Sequence, residues 1–583
     1  MSVHVKINGI PVEVEEGTSV LSAAKKAGVK IPTLCYHPDL KAFGSCGMCI
    51  VKQEGSSKIL RACASPVAEG MSIITNDPEL YSVRKTILEL TLSTHPSTCL
   101  TCVRNGKCSL QDLAAEFGIR EQPYQPRVNM QTPVDDSTPS IVLDPKKCIK
   151  CGRCVQVCQD MQGAFALEFI GRGSNVVMAP AAMLTLNDSP CIKCGQCAAH
   201  CPVGAIYEKD ETSKLIEAIA DPEKVVVAEI APSIRVGLSE EFGLKPGTVS
   251  TKKIYTALRR LGVDYVEDTN FGADLTIMEE GYELVHRLTT AGSVLPQFTS
   301  CCPAWVDYAE KYYPDLIENL SSAKSPMQMQ GPITKTYFAQ KKGIDPSKIY
   351  TVAIMPCTAK KFEAVRDEHM SSSGYQDTDL VLTTRECARM IKAAGIDFNN
   401  LPETEADDPL GEYSGGGTIF GATGGVMEAA IRTAYFAITG ENLKNVEVNA
   451  VRGIQEVKKG EIDIKGKNVR VAVIHGMANA KDVLDEVRAC KKAGKPAPYD
   501  FIEIMACRGG CIAGGGQPYG ADDEIRKERA AGLYQDDKDD PVRCSHENPS
   551  IQKLYKEFLG APLSEKSEKY LHTSYKKVPI YKA

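Results

Sequence analysis

Cysteines in runs with two residues between them restrict this chain more than any other feature. It has 23 cysteines in 583 residues, and most of them cluster instead of being dispersed for cross-linking. Two-residue gaps bring thiolates within reach of one metal centre, whereas a secreted disulfide framework would be shorter and more evenly spaced. Thiols kept for metal imply a reducing compartment. The opening Met1-Ser2-Val3-His4-Val5-Lys6-Ile7 has neither a basic segment before an apolar run nor a twin-arginine pair. No apolar run approaches the roughly 20 residues of a membrane span. A cytoplasmic protein that does not enter a membrane is the expectation. The net charge of -6 offers no polyanion-binding surface, so nucleic acid is not an expected partner.

The chain is long enough for several domains, and the motifs divide it into 1–78, 79–137, 138–210 and 211–583. In the first, Val3–Ile7 and Val12–Val14 flank Asn8-Gly9, a hairpin signal, and Ser19–Ala27 reads as a helix capped by Thr18 or Ser19. Cys35, Cys46, Cys49 and Cys63 then match a 2Fe–2S site, with Gly44 and Gly47 easing the loop. In the second, a helix over Tyr81–Leu92 precedes His95, Cys99, Cys102 and Cys108, which by spacing alone suit zinc as well as iron. Residues 117–136 read as a linker. In the third, Cys148, Cys151, Cys154 and Cys158 repeat as Cys191, Cys194, Cys197 and Cys201. The fourth cysteine of each run in such repeats ligates the other cluster. This pairs Cys148, Cys151 and Cys154 with Cys201, and Cys191, Cys194 and Cys197 with Cys158. Zinc is the competing reading for the first and third modules too.

From residue 211 strand and helix patterns alternate, with strands expected at Val225–Ile230, Val263–Val266, Tyr350–Ile354, Val469–Ile474 and Phe501–Met505, and a helix over Lys481–Lys492. Such alternation argues for α/β sheets with ligand loops at the carboxyl ends of strands. Three cysteine segments lie there: Thr299-Ser300-Cys301-Cys302-Pro303-Ala304-Trp305, Met355-Pro356-Cys357 and Met505-Ala506-Cys507-Arg508-Gly509-Gly510-Cys511. Adjacent side chains diverge in an extended chain, so Cys301 and Cys302 have different tasks. Cys302, Cys357, Cys507 and Cys511 then offer four thiolates to one cluster. Gly509, Gly510 and Gly514–Gly516 are expected to let backbone approach a bulky cofactor; they lack the strand–GxGxxG–helix context of a nucleotide site. The acidic runs at 407–408 and 536–540 read as solvated loops, Cys387, Cys490 and Cys544 as structural or surface thiols, and Lys566–Lys582 as a solvated end or a docking segment.

The three cysteine segments together closely resemble the active-site signature of the iron-only, or FeFe, hydrogenases, and the likeness covers nearly the whole chain. The expected fold is multidomain α/β and α+β: a β-grasp-like ferredoxin domain, a small His/Cys cluster domain, a double 4Fe–4S ferredoxin domain and an α/β catalytic domain. The resemblance implies that His95 and its three cysteines hold a 4Fe–4S cluster. It implies an H-cluster, a 4Fe–4S cube joined to a two-iron unit with CO, CN and azadithiolate, held by Cys302, Cys357, Cys507 and Cys511, with Cys511 bridging. Cys301 would be the proton-exchanging thiol and Lys360 a donor to cyanide. Ala231, Pro232 and Ser233 would wrap the diatomic ligands, and Met355 and Met505 pack against the iron unit. Glu280, Ser321 and Glu283 would link Cys301 to the surface; without the matching Met278-Glu279-Glu280 and Asn319–Lys324 contexts, a glutamate pair on a helix is more often a solvated face.

Ala304, Arg508 and Met327 depart from the family pattern without removing a ligand. Arg508 is expected to place a cation beside the cube. The implied activity is reversible interconversion of dihydrogen with protons and electrons. The implied partners are ferredoxin or a flavin-bearing, NAD(P)-reactive subunit, with a bifurcating complex among the options, and maturation proteins for the two-iron unit. No nucleotide or flavin motif is present, so NAD(P) chemistry would belong to a partner. Competing readings are a stand-alone ferredoxin hydrogenase, a non-catalytic assembly factor and an electron-wiring subunit like that of respiratory complex I.

Overall fold

The computed structural model describes residues 1–125, 127 and 132–582, so part of the 117–136 passage lies outside the described residues. Val3, Val5 and Ile7 alternate with exposed neighbours and give the strand Ser2–Ile7 one buried face. Asn8 and Gly9 both take positive φ and turn it into Ile10–Glu15. The sheet order is Ile10–Glu15, Ser2–Ile7, Ser72–Ile74, Ile50–Gln53, Ile59–Arg61, with Ser2–Ile7 parallel to Ser72–Ile74. The helix Val20–Lys26, capped by the Ser19 side chain, packs Val20, Ala23 and Ala24 onto it. This is the expected β-grasp-like arrangement.

The next helix spans Pro78–Ser93, starting earlier than the apolar pattern suggests because Asp77 caps it and proline opens it. The two cysteine runs of the double ferredoxin fold as near copies. Lys150 and Gly152 in one, Lys193 and Gly195 in the other, take positive φ before the short helices Arg153–Gln156 and Gln196–His200. Ile141–Leu143 and Ile206–Glu208 pair antiparallel to close this unit.

The remainder contains two four-stranded sheets. One is parallel throughout, in the order Tyr265–Asp268, Val225–Ile230, Ile349–Met355, Leu380–Thr383. The strand expected at 263–266 is displaced because the helix Thr251–Leu261 stops at Gly262, φ +106°, and the chain then has to return to the sheet. The other runs Gln297–Phe298, Phe501–Met505, Lys467–His475, with Val457–Ile464 antiparallel at the edge. The cysteine loops leave the carboxyl ends of strands from both sheets, as α/β architecture favours. Between them runs the 21-residue helix Thr269–Thr289, buried through most of its length. Gly272 lets it meet the carbonyl of Pro326, which would lie 2.4 Å from a Cβ.

Two expectations fail for one reason: partners distant in sequence. The 536–540 run is not a solvated loop but the end of the helix Asp523–Asp539. Asp537 accepts from Arg432 at 2.9 and 3.0 Å and from Arg543, and Asp536 accepts from Arg235 at 3.0 Å. The tail is not a solvated end. After the helix Glu565–Leu571, Thr573 N–H donates to Ser322 O at 2.8 Å and Val578 N–H to Glu310 O at 3.0 Å. Among the described residues no helix is long and apolar enough to cross a membrane.

Candidate active site

The loops from the two sheets line a cavity of ≈ 790 Å³, its open mouth included. Cys301, Cys302, Cys357, Cys507 and Cys511 all line it, with Lys360, Ala231, Pro232, Ser233, Met355 and Met505. Cys302 is extended, φ -97° and ψ 104°, at the N-cap position of the helix Pro303–Tyr312. Trp305 is fully buried and donates Nε1–H to Thr299 O at 3.0 Å, pinning the loop. Burial pushes the Cys357 thiol up to about 12 and raises Cys302, Cys507 and Cys511 as well. Four thiolates in so apolar a place need a compensating cation, and an iron–sulfur cluster supplies one. The donor set and its surroundings therefore fit the implied group.

Cys301 is held far above the usual thiol range by burial and by the charges of Glu280, Cys302 and Cys511. Burial opposes the Lys360 charge, yet Glu363 and the neighbouring thiols raise it, with Nζ 2.7 Å from Glu363 Oε2 and 3.2 Å from Cys301 O. The helix Thr269–Thr289 carries Glu280 and Glu283 on one face. Burial, then the charges of Glu283 and Glu503, push Glu280 up to about 8, and both of its oxygens are buried without a hydrogen-bond partner. Glu283 Oε2 accepts from Ser321 Oγ at 2.6 Å and Ser322 N–H at 3.2 Å, while Arg287 Nη2 donates to Oε1 at 2.6 Å. Ser321, Glu283 and Arg287 thus form a continuous chain; Glu280 makes no direct bond to Cys301 or Ser321.

The tail closes on this chain. Tyr575 OH donates to Ser321 O at 2.8 Å, His572 Nδ1 lies 2.8 Å from Ser322 Oγ, and its Nε2 lies 3.0 Å from Glu279. Arg287, His572 and Tyr575 were missed in the sequence; only the i, i+4 spacing of Glu283 and Arg287 gave a local signal. Thr269 and Phe420 also line the cavity; the glycine-rich stretch 415–425 was the sign for Phe420.

Ala304 and Met327 line the cavity, but Arg508 does not. Its guanidinium is 2.9 Å from Asp523 and 3.5 Å from Glu456, so its charge is met by carboxylates and not spent on the cavity. The glycine triplet has a packing task as well. Gly514 lines the cavity, yet a Cβ on it would sit 2.2 Å from Pro356 O, and one on Gly515 2.3 Å from Cys194 O. These residues serve loop-on-loop packing.

The other ligand candidates group in four places. Cys46 N–H lies 3.5 Å from Cys35 Sγ, and the sulfurs of Cys49 and Cys63 are 3.3 Å apart. His95, Cys99, Cys102 and Cys108 share one small cavity, where burial lowers the imidazole pKa and favours the neutral ligand form. Cys148, Cys151, Cys154 and Cys201 line a second, and Cys158, Cys191, Cys194 and Cys197 a third. Arg153 Nη2 reaches the carbonyls of Leu34 at 2.8 Å and Tyr36 at 2.7 Å, joining the second of these to the Cys35 loop. Cys194 lines both the third and the 790 Å³ cavity.

Comparison with known proteins agrees along the chain. Residues 224–515 match the family described as iron only hydrogenase large subunit, C-terminal domain, and 523–578 the iron hydrogenase small subunit. Residues 1–78 match a 2Fe-2S iron-sulfur cluster binding domain, 84–123 the NADH-ubiquinone oxidoreductase-G iron-sulfur binding region, and 147–205 a 4Fe-4S dicluster domain. The chain is 46% identical to the NADP-reducing hydrogenase subunit HndD of Solidesulfovibrio fructosivorans, covering 98% of each. It is 41% identical to iron hydrogenase 1 of Clostridium pasteurianum, covering 98% of this chain and 99% of that one. A solved variant of the apo FeFe-hydrogenase HydA1 from Chlamydomonas reinhardtii superposes with TM-score 0.56 at 42% identity, over 63% of this chain and 99% of its own.

Proposed function

The chain belongs to the iron-only hydrogenase family, and from that premise we propose how its residues divide the interconversion of dihydrogen with protons and electrons. When bound, the H-cluster supplies redox-active iron and an amine base; the protein supplies placement, dryness and a proton route. Cys302, Cys357, Cys507 and Cys511, which line the cavity together, would hold it. Lys360, kept charged by Glu363, donates to an anionic ligand. Ala231, Pro232 and Ser233 and the methionines Met355 and Met505 shape the wall. The Cys301 thiol holds the proton at the cavity and exchanges it with Glu280. From there it moves by Ser321 Oγ to Glu283, whose carboxylate Arg287 holds in place by donating to Oε1 at 2.6 Å.

The observation that carries this reading is the meeting of five thiols and Lys360 in one apolar cavity beside the helix that bears the buried carboxylates of Glu280 and Glu283. Cys301→Ser tests it. The CO and CN infrared bands persist while turnover falls by about 10² or more; full activity in that variant would contradict the relay.

The accessory ligand sets hold one 2Fe–2S and three 4Fe–4S clusters, with domains at 1–78, 79–137, 138–210 and 211–583, and iron and sulfide quantification checks the count. The chain works in the cytoplasm as the catalytic subunit of a complex whose flavin-bearing partner reacts with NAD(P), after maturation proteins install the two-iron unit. Likeness over 98% of its length to a subunit named as NADP-reducing favours this. A stand-alone ferredoxin hydrogenase is the second reading, favoured by likeness over the same share to iron hydrogenase 1. Anaerobic purification of the native protein, with identification of what accompanies it, decides between them.

A further inference from the structure

Two glutamines of the double ferredoxin reach across to the segment Ala506–Cys507. Gln162, four residues past Cys158, is buried and donates Nε2–H to Ala506 O at 2.9 Å. Gln196, between Cys194 and Cys197, is 3% exposed and donates Nε2–H to Ala513 O at 2.9 Å. The same nitrogen lies 3.1 Å from Cys507 Sγ. A carbonyl oxygen can only accept, so the Ala513 contact fixes which end of the carboxamide carries nitrogen. Its second N–H is left facing the sulfur. The loops that make this contact are closely seated. A Cβ on Gly195 would lie 2.3 Å from Thr358 Oγ1, and one on Gly515 would lie 2.3 Å from Cys194 O.

We propose that Gln196 sets the reduction potential of the active-site cluster by donating this N–H to the thiolate sulfur of Cys507. The proposal rests on the reading of Cys507 as a cluster ligand. One electron passing inward oxidises the accessory cluster of Cys158, Cys191, Cys194 and Cys197 by one and reduces the active-site cluster by one. The added negative charge spreads onto the thiolate sulfurs. A donor aimed at one of them, in a buried low-dielectric place, stabilises the reduced form and raises its potential. Gln196 acts through Cys507 and is a positioning residue. Gln162 holds the same segment by its backbone and gives nothing to sulfur, so the two separate packing from tuning.

The test is a potentiometric titration of the matured full-length protein, followed by infrared and electron paramagnetic resonance. Gln196→Met shifts the active-site midpoint to more negative potential and leaves the accessory midpoints in place, while Gln162→Met shifts neither. An unchanged midpoint in Gln196→Met, or an equal shift in Gln162→Met, overturns the proposal. Isotopic labelling of glutamine nitrogen in the wild type provides a check independent of any variant. A nitrogen hyperfine coupling to the reduced cluster supports the contact, and its absence overturns it. Loss of the CO and CN bands from the wild type itself would instead fell the ligand assignment, and this proposal with it.

Discussion

Two routes leave the active-site cavity, and they are built by opposite rules. On the electron side, Cys194 lines both the 790 Å³ cavity and the neighbouring cysteine cavity, and most further ligand candidates come from runs with short gaps, with Cys158 and Cys201 exchanged between the two runs of the double ferredoxin. Electrons cross between centres without the intervening atoms having to touch, so each cluster needs only its own set of nearby thiols. On the proposed proton side, Glu280, Glu283 and Arg287 share the helix Thr269–Thr289, while Cys301 and Ser321 come from two other segments and the tail with His572 and Tyr575 binds Ser321 and Ser322. Protons move only through donor–acceptor contacts of hydrogen-bond length. A wire can therefore be written in local motifs, while a relay must be assembled by the fold.

If that contrast is right, the proton side suffers most from small changes. Cys301→Ser, as above, is the largest effect. Next is Glu280→Gln, expected to lower turnover by about 10² or more while the infrared bands stay; unchanged turnover would break the contrast. The same variant has a pH signature. Glu280 sits at about 8 in the folded chain against an ordinary 4.5, chiefly through burial. Between these values the folded state retains a proton that the unfolded state has released, so stability falls as pH rises through the window. Glu280→Gln should flatten that fall in denaturant titrations of the chain.

Tyr575→Phe removes only the bond to the Ser321 carbonyl. A several-fold loss of turnover and about 1 kcal/mol of stability are expected, with infrared bands unmoved; loss of stability alone would reduce the tail to a structural strap. The smallest effect belongs to the electron side. Arg508→Pro should leave the cubane midpoint where it was, because Asp523 and Glu456 already neutralise the guanidinium. A clear shift would restore Arg508 as a tuning charge.

What could be read before folding follows the same division. The ligand groups from Cys35 to Cys201 and the strand-end cysteines were legible because metal chelation and sheet geometry impose short, repeated spacings. Glu280 and Glu283 were legible as a helical pair, and their burial was implied only by likeness to a family. The carboxylates at 536–540 looked solvated because Arg432, Arg543 and Arg235 are remote in sequence from them or fall in another element. The tail looked free because Ser321, Ser322 and Glu310, which bind it, lie more than two hundred residues away.

The amino-acid sequence by itself determined where the four groups of candidate metal ligands between Cys35 and Cys201 lie, and that three further cysteine segments sit at strand ends. It could do so because short covalent spacing brings neighbouring thiols within reach of one centre. Only the tertiary structure decided that Glu280 is fully buried, that the C-terminal tail binds Ser321 and Ser322, and that Gln196 meets Cys507. Those contacts join residues whose separation along the chain carries no information about distance. They exist because burial of the sheets and of the Thr269–Thr289 helix forces their surfaces together.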